Sequence, residues 1–108
     1  MKDIGAMMKQ ASALQAKMKQ AQDRLEASSV SAQSGSGLVT LTLSGKGDLI
    51  DLVLDPSLLA DGDAETLQDL IRAAHRDARG RLDALQAELV REAAGPLANM
   101  PGFPGLKL

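Results

Sequence analysis

Basic residues at helical spacing are the side chains of this chain that indicate a chemical role. Lys2, Lys9, Lys17 and Arg24 are separated by seven, eight and seven residues. At about 100° per residue, such positions fall on one side of a helix. The segment 1–27 carries five bases and three acids, a formal charge of +2. A row of cations of this kind can bind a polyanion through its phosphates, with counterion release as the driving force.

A second basic row follows later in the chain. Arg72, Arg76 and Arg79 stand at positions i, i+4 and i+7 and form a ridge along a predicted helix. Arginine favours bidentate phosphate contacts. The segment 56–94 nevertheless carries five bases and eight acids, a formal charge of −3. Because neighbouring acids can pair with these arginines at the surface, a binding site and a solvated helix face fit this ridge equally well.

Catalytic chemistry is poorly represented in the chain. His75 is the single histidine and there is no cysteine, so one imidazole alone cannot make a zinc site. The glycine pairs around Ser36 and Lys46 match no phosphate-binding loop and mark turns between strands. Lys46 is interpreted as a solvated turn residue, with a phosphate contact as the alternative. We therefore expect no enzymatic activity, no cofactor and no metal.

Composition narrows the class of protein further. A chain of 108 residues suits one domain, and no segment has the ~20 apolar residues of a membrane span. The first ten residues lack the apolar core of a signal peptide, so a cytoplasmic protein is expected. Because the chain has only one residue among Phe, Tyr and Trp, base stacking is excluded as its main mode of binding nucleic acid. With a net charge of −2, any DNA binding must come from local patches.

The hydrophobic period predicts which elements hold these residues. It is helical over 4–27, changes to alternation over 29–55, and is helical again from Asp63, a good N-cap, to about Ala94. Short connections between the alternating runs predict a three-stranded antiparallel meander. Residues 57–59 should form a turn that packs both of its leucines. The fold class is thus α+β, with one domain over 1–96 and a Pro/Gly-rich flexible tail over 97–108.

Two features predict a homodimer. A helix of 30 residues is about 45 Å long, whereas a compact domain of this size has a radius of gyration of only ~13 Å. The apolar stripe of the second helix continues into the overhang. Strict alternation places Leu49 and Val53 on one face of the third strand, whereas its other apolar residues lie on the opposite face. The alternative is a monomer whose helices cover both sheet faces. The predicted interface residues are Leu49, Val53, Leu85 and Leu89.

At this point a family resemblance is specific. The chain resembles the YbaB/EbfC family of bacterial nucleoid-associated proteins, most closely at GSGLVTLTLSGKGDLIDLVLDPSLL, residues 35–59. The resemblance extends to MMKQASALQAKMKQAQ at 7–22, LQDLIRAAHRDARGRLDALQAE at 67–88 and MPGFPGL at 100–106. It implies a protomer of one helix, three strands and one helix, a tweezer-like homodimer, and DNA binding in the nucleoid. The DNA-binding residues that it implies on the two helices are Lys9, Lys17, Lys19, Arg24, Arg72, Arg76 and Arg79.

The sequence therefore predicts a non-enzymatic homodimer that binds double-stranded DNA, mainly through its backbone. Such binding would contribute to nucleoid organisation and to gene regulation. The alternative function is a protein-interaction adaptor for replication or recombination machinery that does not touch DNA. The apolar surface of the second helix and the tail favour that alternative.

Overall fold

The order of elements is the one predicted: a helix, a three-stranded meander and a long helix. A computed structural model describes residues 3–60 and 62–95. The tail predicted over 97–108 and the first member of the basic row, Lys2, lie outside the described residues. The elements are α1 Asp3–Glu26, β1 Ser29–Ser34, β2 Val39–Ser44, β3 Leu49–Leu54, a short α2 Pro56–Ala60, and α3 Ala64–Ala94.

The N-terminus of α3 is capped as predicted. Asp63 accepts hydrogen bonds from the hydroxyl of Thr66 at 2.6 Å and from its backbone N–H at 3.1 Å. These two bonds stabilise the carboxylate and lower the pKa of Asp63. The cap is therefore strongest at neutral pH and is lost as the pH falls through this lowered pKa. At the other end α3 stops at Ala94, where Gly95 takes a φ of 56°.

The main core lies between the sheet and α3. The strands pair antiparallel in the order β1-β2-β3, and α3 packs on β1 and β2. Val39, Leu41 and Leu43 alternate along β2 and are fully buried. Opposite them, α3 presents Ala74 and Ala78, both 0% exposed, whose small side chains let the helix approach the strands closely.

A second core forms between the two long helices. Ala21 and Leu25 of α1 pack against Leu82 and Leu89 of α3, and all four are at most 5% exposed. The part of α3 that overhangs the sheet is thus covered by α1 of the same protomer. The helix pair makes the molecule elongated, with extents of 73 × 25 × 16 Å. None of the helices within residues 3–60 and 62–95 is long and apolar enough to cross a membrane.

The third strand contains a β-bulge that alternation does not reveal. Leu43 of β2 pairs with Leu49, but its neighbour Thr42 pairs with Asp51. Ile50 is therefore an extra residue on β3, and the side-chain alternation shifts by one at this point.

The bulge changes which face Leu49 occupies. Paired residues lie on the same side of a sheet, so Leu49 lies on the α3 side with its buried partner Leu43. Leu52 and Leu54 are on that side as well, whereas Val53 is on the other. The expectation that Leu49 and Val53 share a face is wrong, because a bulge depends on strand pairing and leaves no mark in the hydrophobic pattern.

The segment after β3 also differs in part from the prediction. Residues 57–59 lie in α2 rather than in a simple turn. Leu58 is 8% exposed and joins the main core, but Leu59 is 63% exposed. One helical turn cannot direct two adjacent side chains to the same core, so only the first of these leucines is packed.

Candidate nucleic-acid interface

The seven predicted DNA-binding residues all lie at the surface of the two long helices. None of these side chains is turned into either core, and each residue is exposed. Four are on α1 and three are on α3. They are exposed because the apolar stripes of these helices pack against each other and against the sheet, which leaves the polar faces at the surface. They are Lys9, Lys17, Lys19, Arg24, Arg72, Arg76 and Arg79.

Three of the seven cations are available for a ligand without any rearrangement. Lys9, Lys17 and Arg76 form no ion pair with any residue that the structure describes. Lys9 and Lys17 belong to the basic row on α1, and Arg76 is the middle member of the arginine ridge on α3. Although the chain has a formal charge of −2, these positions retain an uncompensated positive charge.

The other four cations pair with carboxylates at the surface. All of these side chains are between 51% and 78% exposed. Exposed pairs contribute about 0–1 kcal/mol, so a phosphate can replace the carboxylate at little cost. The pairs are Lys19–Asp23 at 3.8 Å, Arg24–Glu92 at 3.0 Å, Arg72–Asp69 at 3.3 Å and Arg79–Asp83 at 3.5 Å.

Three of the seven cations line two separate clefts beside the contact between α1 and α3. The first cleft, of about 210 Å³, contains Lys17 and Arg24 together with Glu92. The second, of about 260 Å³, contains Arg79 and Lys46 of the β2–β3 turn. Glu92 follows Arg79 by thirteen residues, which rotates it about 140° around α3. The two clefts therefore flank the helix pair on different sides, and one protomer does not gather the predicted residues into a single patch.

Sequence reasoning did not find the partner of Arg24. Glu92 is 68 positions away along the chain and meets Arg24 only because α1 folds back on α3. The local acids of α3, by contrast, follow the helical spacing from which surface pairing was expected.

The four predicted interface residues fall into two groups. Leu49 and Val53 are each 54% exposed on β3. Leu89 is 4% exposed and Leu85 is half-buried, since both belong to the core with α1. The sequence predicts Leu85 and Leu89 in the interface because the overhang of α3 is expected to be uncovered. In the structure α1 of the same protomer covers it.

Comparison with known proteins decides the family. The model of the YbaB/EbfC DNA-binding family matches residues 1–97. The chain belongs to this family. The resemblance to this family is thereby confirmed, as is the expectation of a DNA-binding rather than an enzymatic family.

Curated relatives of this YbaB/EbfC protein are similar over their whole length. A nucleoid-associated protein of Caulobacter sp. (strain K31) is 54% identical over 108 residues, which cover 99% of both chains. A nucleoid-associated protein of Brucella ovis is 52% identical over 103 residues, 95% of this chain and 96% of that protein. Among solved structures, an uncharacterized Helicobacter pylori protein superposes with a TM-score of 0.68 at 23% identity, covering 88% of this chain and 97% of its own. That likeness supports the fold.

Proposed function

We propose that this YbaB/EbfC protein binds double-stranded DNA as a homodimer in the cytoplasm, mainly through the phosphate backbone, and contributes to nucleoid organisation and to gene regulation. Membership of a DNA-binding family and relatives named as nucleoid-associated proteins support it. The observation that carries it is a set of exposed cations, Lys9, Lys17 and Arg76, that pair with no described carboxylate in a chain of net negative charge.

The side chains available on these helices favour phosphates over bases as the contact. Lysine and arginine on the outside of a helix can reach the DNA backbone, which positions a protein but carries no sequence information. The described part of the chain contains no Phe, Tyr or Trp that could stack on a base. Any preference among DNA sequences would then come from groove shape or bendability.

A homodimer is proposed because β3 is left uncovered. It is an edge strand, and Leu49, Ile50 and Val53 are each 54% or more exposed. An exposed edge with apolar side chains on both faces is a ready surface for a second chain. A second copy seated there would double each basic row and hold the two copies at a fixed distance, which compensates for the scattered cations of one protomer.

The affinity for a duplex of random sequence should fall steeply as salt is added. Each phosphate neutralised by the protein contributes about 0.9 to the slope of log K against log[salt]. With three unpaired cations per protomer, we expect a slope of about −2.7 or steeper, measured by fluorescence anisotropy between about 0.05 and 0.3 M salt. A flat dependence would exclude phosphate contacts and with them the proposed function.

Replacing the apolar residues of β3 should convert the dimer into a monomer. In the double variant Leu49→Asp, Val53→Asp, the two copies would bring like charges together on both faces of the sheet at the proposed interface, at a cost of several kcal/mol. Light scattering should find twice the chain mass of 11.3 kDa for the wild type and a single chain mass for the variant. Leu59→Asp is the matched control, since Leu59 is 63% exposed but lies outside the sheet. A wild type of single chain mass would refute the dimer.

One observation favours the adaptor function as the second candidate. Ile4, Met7 and Met8 of α1 are between 54% and 68% exposed, which makes an apolar surface of the kind that binds proteins. A pull-down from nuclease-treated extract separates the two candidates. Specific partners retained without DNA, combined with a flat salt dependence of duplex binding, would favour the adaptor.

A further inference from the structure

The β2–β3 turn holds Lys46 in a defined position beside the helix pair. Within this turn, the Ser44 hydroxyl accepts hydrogen bonds from the backbone N–H groups of Lys46, at 3.3 Å, and Asp48, at 3.1 Å. The N–H of Gly47 donates to the carbonyl of Ser44 at 2.9 Å, and that of Gly45 donates to Ser28 at 3.0 Å. The backbone is therefore tied on both sides, while the Lys46 side chain is exposed and pairs with no described carboxylate.

Arg79 of α3 lies directly against the same turn. A Cβ atom on Gly47 would lie 2.7 Å from Nη1 of Arg79, and Gly47 has a φ of 92°. The positive φ favours glycine here, and the guanidinium group of Arg79 lies in the space beside it. Arg79 meets Asp83 through its Nε at 3.5 Å. This ion pair uses Nε, so the N–H donors of the two terminal nitrogens lie outside it.

The cleft formed by the turn and α3 suits an anion better than the other basic cleft does. Lys46 and Arg79 line it together with Gln22 and Gln86, and none of the residues that line it is acidic. In the cleft beside Lys17, by contrast, Glu92 is one of the lining residues. A lysine and an arginine that share one concave surface can bind a phosphate from two directions, the arginine with two parallel N–H donors.

We propose that Lys46 and Arg79 together bind a backbone phosphate of duplex DNA at the β2–β3 turn. This contact deepens the proposed function and rests on it. It extends the DNA-binding surface from the two helices to the sheet end of the molecule, at a position where the turn and α3 meet. It also gives Arg79 of the arginine ridge a second cation, Lys46, that lies outside the negatively charged segment 56–94.

The test compares Lys46→Gln with Arg91→Gln in the full chain, using a 20-base-pair duplex of random sequence. Both changes remove one exposed positive charge that pairs with no described carboxylate, but Arg91 lies outside the cleft. We expect Lys46→Gln to lower affinity about 8-fold at 0.1 M salt and the salt slope by about 0.9 for each protomer engaged. Arg91→Gln should stay within about twofold of the wild type. Lys46→Arg should restore binding.

A combined variant tests whether the two residues share a phosphate. If they do, Lys46→Gln and Arg79→Gln together should lose less affinity than the product of their separate losses. If the wild type binds with a steep salt slope but Lys46→Gln and Arg91→Gln lose the same affinity, the turn site is overturned and the proposed function stands. A wild type without salt dependence overturns both.

Discussion

Neutralising the basic row of α1 should lower the affinity for duplex DNA by about 10²–10³-fold at 0.1 M salt for each protomer that engages the DNA. The variant is Lys9→Gln, Lys17→Gln, Arg24→Gln. Each lost phosphate contact removes about 0.9 log units of affinity at this salt concentration, and three are lost per protomer. The loss should shrink towards high salt, because the contacts act through counterion release. Anisotropy titrations over a range of salt concentrations measure both effects.

The fold should survive this change, since all three side chains are exposed and only Arg24 has a partner in the described structure. Circular dichroism and light scattering check that the variant is folded and keeps the oligomeric state of the wild type. Glu92→Gln provides a control of opposite sign. It frees Arg24 from its pair and should raise affinity several-fold by removing a negative charge beside the row. If Glu92→Gln weakens binding as well, the row does not act through its charge.

Gly45→Ala should destabilise the protein by about 3 kcal/mol or more, with a fall in Tm of about 12 °C or more. Gly45 is buried where the end of β2 meets the C-terminus of α1. A Cβ atom there would lie 1.6 Å from the carbonyl oxygen of Leu25 and 2.5 Å from its carbon. Both atoms belong to the backbone, so the change forces α1 away from the sheet rather than displacing a flexible side chain.

Gly80→Ala is the matched control for this substitution. Gly80 is exposed in the middle of α3, and a Cβ atom there would meet nothing within 4 Å. Alanine should stabilise the helix by about 0.5–1 kcal/mol, because it loses less conformational freedom on folding. Urea and thermal unfolding followed by circular dichroism compare the two variants. Equal stability of Gly45→Ala and the wild type would show that α1 does not pack against the turn as described.

Local features of the sequence were sufficient to predict the elements. The period of three and four residues predicted α1 and α3 to within a residue or two of their bounds, Asp3–Glu26 and Ala64–Ala94. Asp63 was identified as the cap of α3 from its type and position alone. Alternation over 29–55 predicted the strands, among them β2 at Val39–Ser44. All of these depend on interactions between residues close together in the chain, which the amino-acid pattern records directly.

Non-local contacts decided the surfaces. The side of the sheet that Leu49 occupies depends on a bulge, and a bulge exists only once β3 pairs with β2. Leu89 is buried because α1 returns along α3, and the same return brings Glu92 to Arg24. Arg79 lies beside the β2–β3 turn because α3 packs on the sheet, which is also a contact between distant parts of the chain. The sequence determined which cations and apolar residues share a helix face, whereas the tertiary structure decided which of them are covered or paired, because those contacts join residues far apart in the chain.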